Sequence, residues 1–149
     1  MRMRALLIIA AATAVTAGCG SGEPATPMTE AATATSAPAG QAAGPDLSGE
    51  EFADLTDDSS VAVQARDNAF VKPYIEVRAG TKVTFTNRGR NQHDVQPVTK
   101  GSFAPIPATD FQPTDSDEIT FAIPGDYSYY CSLHGTPTKG MIGAIRVLK

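Results

Sequence analysis

The side chains best suited to metal or redox chemistry are few in this chain of 149 residues, which contains two cysteines and two histidines. Cys131 is followed by His134 three positions later and by Met141 ten positions later, and His93 is the other histidine. A thiolate, two imidazoles and a thioether form a soft ligand set that suits copper cycling between Cu(I) and Cu(II). Zinc prefers closed Cys/His sites without a thioether, so these four residues favour copper.

Composition argues against several other classes of protein. Two thiols cannot form a disulfide framework, and they cannot build a zinc site with four cysteines. The formal net charge is −4 and the pI is about 5.0. We therefore expect no nucleic-acid partner, because phosphate binding needs a basic face. No general base, nucleophile or substrate pocket is recognisable in the sequence, so we do not predict an enzyme.

The elements that position the four candidate ligands read as β-strands. Apolar and polar residues alternate with period two, and turn signals recur about every 8–12 residues. The apolar faces of successive strands carry Ile75, Val77, Val83, Phe85, Ile119, Phe121, Ile123, Tyr127, Tyr129, Cys131, Ile145 and Val147. We predict an all-β domain over residues 59–149, a small antiparallel sandwich or barrel. Prolines interrupt the alternation over residues 97–113, which predicts a long irregular connection there.

The N-terminus has the features of an export signal, which we assign to residues 1–18. A positively charged start precedes an apolar run over 5–17, which is too short to span a bilayer. The run ends in small residues before Cys19, as in a bacterial lipobox, although Thr16 stands where Leu or Val is usual. We expect Cys19 to be lipidated; the alternative is an ordinary secretory signal with an incidental cysteine.

Residues 19–58 predict a flexible tether rich in Ala, Pro, Thr and Gly. From residue 20 onward the segment holds eight acidic residues and no Lys or Arg. It also has too little apolar surface to offset the entropy cost of ordering. The pattern Ser48-x-x-Glu51, with Phe52 and Leu55, could start one short helical turn.

The C-terminal part of the chain carries a sequence pattern known from one protein family. The stretch Gly125-Asp-Tyr-Ser-Tyr-Tyr-Cys-Ser-Leu-His134, followed by Gly140-Met-Ile-Gly143, resembles the copper-binding signature of plastocyanin-like blue copper proteins, the cupredoxins. The N-terminal half of the domain agrees with that family at Asn68, Phe70, Pro73, Ile75, Val77, Gly80, Val83, Phe85, Asn87 and His93. The resemblance covers 61–149 and implies a Greek-key β-sandwich of about eight strands with copper near one end.

The resemblance also implies the role of each ligand. His93 matches the first histidine of the family, Cys131 the thiolate, His134 the second histidine and Met141 the axial thioether. A backbone carbonyl near Gln92 could occupy an axial position instead of the thioether. The resemblance thus implies one type 1 copper ion as the cofactor.

Two departures from the family pattern concern this site. The Cys131–Met141 loop is about two residues longer than in plastocyanin, which could change the axial distance and the reduction potential. Asp94 follows His93 where many relatives carry Asn, a side chain that ties the two ligand loops together. A carboxylate accepts hydrogen bonds from backbone N–H groups but cannot donate at neutral pH. Its negative charge should favour Cu(II).

The sequence also offers candidate surfaces for partners. Tyr130 matches a position that borders an electron-exit surface in plastocyanins, and an ordinary exposed tyrosine is the alternative. An apolar rim around the second histidine, where redox partners dock in this family, would comprise Leu133, Pro137 and Ile142. An acidic cluster that could steer a basic partner, or be simply a solvated strand edge, comprises Asp115, Asp117 and Glu118.

These features together predict a one-electron carrier, lipid-anchored through Cys19 to the outer face of a bacterial cytoplasmic membrane, or periplasmic or extracellular. We expect a monomer that exchanges electrons with redox protein partners. One alternative is an extracytoplasmic copper-binding or delivery protein, although the chain lacks Met-rich or His-rich tracts. A second is an interaction module with a vestigial site. A copper oxidase or nitrite-reducing enzyme needs further copper centres, which two histidines cannot supply.

Overall fold

The computed structural model describes residues 43–149, and these residues form a sandwich of two β-sheets. The strands are, in chain order, β1 (Ala53–Asp54), β2 (Ser60–Arg66), β3 (Ala69–Val71), β4 (Tyr74–Arg78), β5 (Lys82–Asn87), β6 (Gln96–Pro97), β7 (Ser116–Thr120), β8 (Gly125–Thr136) and β9 (Lys139–Leu148). One sheet has the order β1-β4-β9-β8-β6 and the other β3-β2-β5-β7. The predicted all-β sandwich is confirmed. Within the described range no helix is long and apolar enough to cross a membrane.

Alternating burial explains why these segments form strands. Val61, Val63 and Ala65 of β2 are buried, whereas the residues between them are at least partly exposed, as the period-two geometry of a strand requires. The inward faces of both sheets form one hydrophobic core, which includes Val63, Phe70, Ile75, Val77, Val83, Phe85, Phe111, Tyr129, Ile145 and Val147. Burial of this apolar surface between the sheets is the main force that stabilises the sandwich.

The prediction of an antiparallel sandwich is wrong in part, because the sheets are mixed. The pairs β1/β4, β4/β9 and β2/β5 are parallel, and the pairs β2/β3, β5/β7, β6/β8 and β8/β9 are antiparallel. The chain crosses between the sheets from β4 to β5, so paired strands are often not neighbours in sequence and can run the same way. Side-chain alternation is the same in both arrangements and does not reveal the direction of pairing.

Residues 43–55, which we call the N-terminal strap, lie against the folded domain, although the sequence analysis assigned them to the tether. Ala53 and Asp54 form β1 beside β4, and the Leu55 N–H donates to Glu76 O at 2.9 Å. Leu55 and Ala53 also pack against the hydrophobic core. A turn at 48–49 and a short strand replace the helical turn suggested by the sequence.

The strap crosses the outer face of the five-stranded sheet. The Phe52 ring lies 5.7 Å from the Tyr74 ring, and the Arg146 guanidinium lies 4.0 Å from the Phe52 centroid, a cation–π contact. At the other end of the strap, a Cβ added at Gly44 would lie 3.8 Å from Ser128 Oγ. The strap therefore runs from β8 across β9 to β4. The predicted signal segment, Cys19 and the tether up to residue 42 lie outside the described residues.

Candidate metal centre

Three of the four predicted ligands meet at one end of the sandwich. His93, Cys131 and His134 each offer one ligand atom, and these atoms lie within 4.8 Å of one another. The Cys131 Sγ lies 3.7 Å from His93 Nδ1 and 3.4 Å from His134 Nδ1. Both imidazoles therefore direct the same ring nitrogen toward the sulfur, as expected for donors that share one ion.

The β8–β9 hairpin positions the thiolate and the second histidine. Within its ladder, four residues of β8 (131–134) lie opposite the single residue Met141 of β9, which makes an enlarged β-bulge. Two glycines allow the close approach of the backbones beside this bulge. A Cβ at Gly135 would lie 2.7 Å from Met141 N, and one at Gly140 would lie 2.7 Å from His134 O. Gly140 also has a φ of +85°, which favours glycine.

A loop is expected after Cys131 from the sequence, and the structure shows a strand there instead. Strand β8 continues to Thr136, which pairs with Lys139 across a two-residue turn. The segment between Cys131 and Met141 thus forms the end of a hairpin. Pairing of Tyr130 with Ile142 and of Gly135 with Gly140 restricts both ends of the bulge that bears the ligands.

Met141 lies on β9 opposite the bulge and is 1% exposed. It belongs to the same hydrophobic cluster as Cys131. Its thioether is thus buried on the side of the hairpin that carries the thiolate. This placement is compatible with the predicted axial position.

His93 reaches the site from a different part of the fold. Strand β5 ends at Asn87, and five residues separate that strand end from the histidine. The His93 N–H donates to Phe111 O at 3.3 Å, and the imidazole is fully buried. Its Nε2 has no hydrogen-bond partner among the described residues. The position of this ligand therefore depends on contacts with residues distant in sequence.

Asp94 joins the two ligand-bearing segments. Its Oδ1 accepts from the Ser132 N–H at 2.6 Å, and its Oδ2 accepts from Ser132 Oγ at 2.5 Å and from Gln96 Nε2 at 3.1 Å. The carboxylate is 3% exposed. The expectation that a carboxylate at this position would accept from a backbone N–H is confirmed. Ser132 lies directly after Cys131, so Asp94 fixes the histidine segment against the thiolate strand.

Comparison with known proteins identifies the family. Residues 58–148 match the model of the copper-binding proteins of the plastocyanin/azurin family. The chain belongs to this family.

Solved structures of copper proteins resemble the chain as well. A reduced amicyanin variant is 26% identical, with a TM-score of 0.52, over 61% of this chain and 84% of that chain. A copper-containing nitrite reductase from Thermus scotoductus SA-01 is 30% identical, with a TM-score of 0.50, over 60% of this chain. The match spans only 22% of the nitrite reductase chain. The cupredoxin likeness therefore extends over nearly all of one small protein and over one part of a larger one.

The donor geometry of this cupredoxin fits one copper ion. Nitrogen and sulfur ligands lie about 2.0–2.3 Å from a bound metal, so two that share one ion at an angle between tetrahedral and trigonal are roughly 3.5–3.8 Å apart. The sulfur-to-nitrogen distances of 3.4 and 3.7 Å are close to that range. A soft donor set of this composition suits copper, so His93, Cys131 and His134 form a single candidate copper site.

Burial changes the acid–base behaviour of the two buried ligands. It lowers the pKa of His93, the charge of His134 lowers this pKa further, and Asp94 and Asp67 oppose the change. The neutral imidazole is therefore favoured, which leaves Nδ1 available to a metal. Burial is also the main reason that the pKa of the Cys131 thiol is raised. A metal ion would have to displace the thiol proton to bind the thiolate.

The surface residues that the sequence suggests for partner contacts differ in exposure and in their own contacts. Leu133 is 51% exposed, and both Pro137 and Ile142 are half-buried, so apolar surface is available on the hairpin that carries His134. In the acidic cluster, the Glu118 carboxylate lies 2.7 Å from Lys82 Nζ. Asp115 accepts a hydrogen bond from the Gln112 N–H at 2.9 Å. The Lys82 ammonium offsets part of the negative charge of the cluster at Glu118.

Two tyrosines directly precede Cys131 and lie on opposite faces of β8. Tyr129 is fully buried, as predicted, and its hydroxyl donates to Pro73 O at 3.0 Å. Tyr130 is half-buried and lines a cavity of about 530 Å³ beside Pro97 and Phe103. Sequence analysis did not identify this cavity, because its lining comes from the irregular connection whose path the sequence pattern does not specify.

Proposed function

We propose that the protein is a type 1 copper electron carrier whose ligands are His93, Cys131, His134 and Met141. The observation that carries this proposal is the convergence of two Nδ1 atoms on one buried thiol at the bulged hairpin. Bound copper supplies the one-electron couple between Cu(I) and Cu(II). Membership of the plastocyanin/azurin family supports the proposal.

The residues around the site favour fast electron transfer because they restrict the movement of the ligands. The paired residues on either side of the bulge fix both ends of the segment that carries Cys131 and His134, and the Asp94 carboxylate holds the His93 segment against the same strand. Ligands that change position little between the two oxidation states need little rearrangement when the electron moves. Burial of the thiolate and of His93 excludes water, while the half-exposed His134 provides a short path to the surface.

We further propose that the protein works outside the cytoplasm, lipid-anchored through Cys19, as a monomer that exchanges electrons with other redox proteins. The signal-like segment over 1–18 and the lipobox-like sequence before the cysteine support this location. A Cys19→Ser variant would move from the membrane fraction to the soluble extracytoplasmic fraction. Retention of this variant in the membrane fraction would contradict the lipid anchor.

The test of the copper function is a visible spectrum of the full chain loaded with Cu(II), followed by ascorbate. We expect an intense blue thiolate-to-copper band that bleaches on reduction and returns on reoxidation. A colourless product would mean that the thiolate is not a ligand. Rapid loss of copper to a chelator, with the band present, would favour the copper-delivery alternative instead.

A further inference from the structure

Asn87, the last residue of β5, is fully buried and directs its side chain into the segment that leads to His93. Its Nδ2 donates to Asn91 O at 2.8 Å and to Phe111 O at 3.0 Å. Its Oδ1 accepts from the Gly89 N–H at 2.9 Å. Because the partners are two carbonyls and one N–H, they fix the orientation of the amide.

The main chain of Asn87 holds a second segment in place. Its N–H donates to Asp115 O at 2.9 Å, and its carbonyl accepts from the Thr114 N–H at 3.0 Å. The Phe111 carbonyl that accepts from the Asn87 amide also accepts from the His93 N–H at 3.3 Å. Asn87 and His93 are therefore joined through one shared acceptor, and Asn87 connects residues 88–93 with residues 111–115.

Gly89 transmits this restraint to the imidazole ring. A Cβ at Gly89 would lie 3.1 Å from His93 Nε2 and 2.8 Å from Asp67 N, so the glycine packs closely against that edge of the ring. The other ring nitrogen, Nδ1, faces Cys131 Sγ at 3.7 Å. Asn87 Oδ1 accepts a hydrogen bond from the Gly89 N–H. The Asn87 side chain therefore fixes the position of the backbone against which the His93 ring packs.

We propose that Asn87 is the positioning residue that fixes the direction in which His93 presents Nδ1 to Cys131. This restraint is separate from that of Asp94, because Asp94 acts on the Ser132 side of the site. The inference rests on the proposed copper function for its consequence in electron transfer. The restraint itself belongs to the protein without metal and is testable there.

The substitution that tests this role is Asn87→Asp, which has nearly the same shape. It keeps an acceptor for the Gly89 N–H but places a carboxylate oxygen against the carbonyls of Asn91 and Phe111, where a donor is needed. The matched control is Thr81→Val, at the residue directly before the opposite end of the same strand. Thr81 is 4% exposed, and its hydroxyl donates to Asp58 O at 3.4 Å, far along β5 from the ligands.

The first measurement is amide hydrogen exchange in the full-chain apoprotein. In Asn87→Asp we expect protection of the Gly89 and His93 amides to fall about tenfold, with protection of the Ser132 amide unchanged. Thr81→Val should lower the unfolding temperature without this local effect. The second measurement uses the copper-loaded protein: Asn87→Asp should shift the visible spectrum and slow electron self-exchange by about tenfold.

Unchanged protection of the Gly89 and His93 amides in Asn87→Asp would overturn the proposal, and so would a wild-type spectrum and self-exchange rate. If this variant does not fold, Asn87→Ala tests the same role, because it removes the donors and the acceptor for the Gly89 N–H without adding a charge. The two proposals can fail separately. A wild-type protein without the blue band refutes the copper function, while the exchange data on the apoprotein still decide the role of Asn87.

Discussion

The two segments that supply the candidate ligands are built differently. The β8–β9 hairpin carries Cys131, His134 and Met141 within eleven residues, and its paired residues on either side of the bulge hold the segment that bears them. The segment after β5 carries only His93, which is held by hydrogen bonds to residues distant in the chain. The contact between Asp94 and Ser132, for example, joins residues 38 positions apart. Spacing within the hairpin thus brings Cys131, His134 and Met141 together, whereas long-range contacts determine the orientation of His93.

The largest predicted effect is that of a substitution in the β8–β9 hairpin on the copper site. Cys131→Ala should abolish the blue band and the redox activity completely, because the thiolate is the donor for the visible transition. The measurement is the visible spectrum and a voltammogram of the Cu(II)-loaded protein. Ser128→Ala, on the same strand but outside the site, should keep the colour. A Cys131→Ala protein that remained blue would refute the ligand assignment.

The next largest effect should come from a change in the contact between Asp94 and Ser132, which joins the two segments. Asp94→Asn removes a buried negative charge that favours Cu(II), so the reduction potential should rise by roughly 50–130 mV, the equivalent of about 1–3 kcal/mol. Equilibrium redox titration measures this change. The control is Asp126→Asn, which removes an exposed carboxylate from the same hairpin. A potential that stayed constant or fell would contradict the proposed role of the charge.

Substitution of Met141, the candidate axial ligand, should have a smaller effect. Met141→Leu replaces the thioether by an apolar side chain of similar volume, so the site should remain blue. The potential should rise by an amount on the order of tens of mV, because the axial ligand tunes the couple. Voltammetry of the variant measures this shift. Loss of copper from the variant would show instead that the thioether is needed for binding.

The smallest effect concerns the pH dependence of the apoprotein. The pKa of His93 is lowered on folding, so the unfolded chain binds more protons as pH falls through its ordinary value near 6.5. The free energy of unfolding should therefore fall by at most about 1.4 kcal/mol per pH unit between that value and the lowered one. Urea denaturation at pH 7.5 and 5.5 measures the change. His93→Gln should weaken this dependence, and an identical slope in the variant would exclude His93 as its source.

The same contrast explains which features the sequence could predict. The strands follow from the alternation of residues such as Val83 and Phe85, and the hairpin ligands from their residue types and from the resemblance to the cupredoxin signature. The parallel pairing of β2 with β5 could not be predicted, because alternation is the same for either direction. The role of Asn87 was also missed. It depends on Phe111, whose position is set by an irregular connection that has no periodic signal.

The strap was missed because the acidic composition around it is typical of a solvated segment. Phe52 was the one available signal, as the only aromatic residue between 20 and 58. Its partners, Tyr74 and Arg146, come from two other strands. A single aromatic residue in such a segment predicts a contact only when the surface against which it packs is known.

The strap also has a mechanical consequence. A force that pulls the chain from its N-terminal side reaches the contact at Gly44 first, then the one at Phe52, and reaches the two-residue strand β1 last. Because these contacts lie in series along the strap, a sufficient force breaks them one after another. Complete peeling would release residues 43–55, which extend at most about 45 Å. The domain could move outward by that distance under load, while the contacts around His93 and Cys131 stay intact.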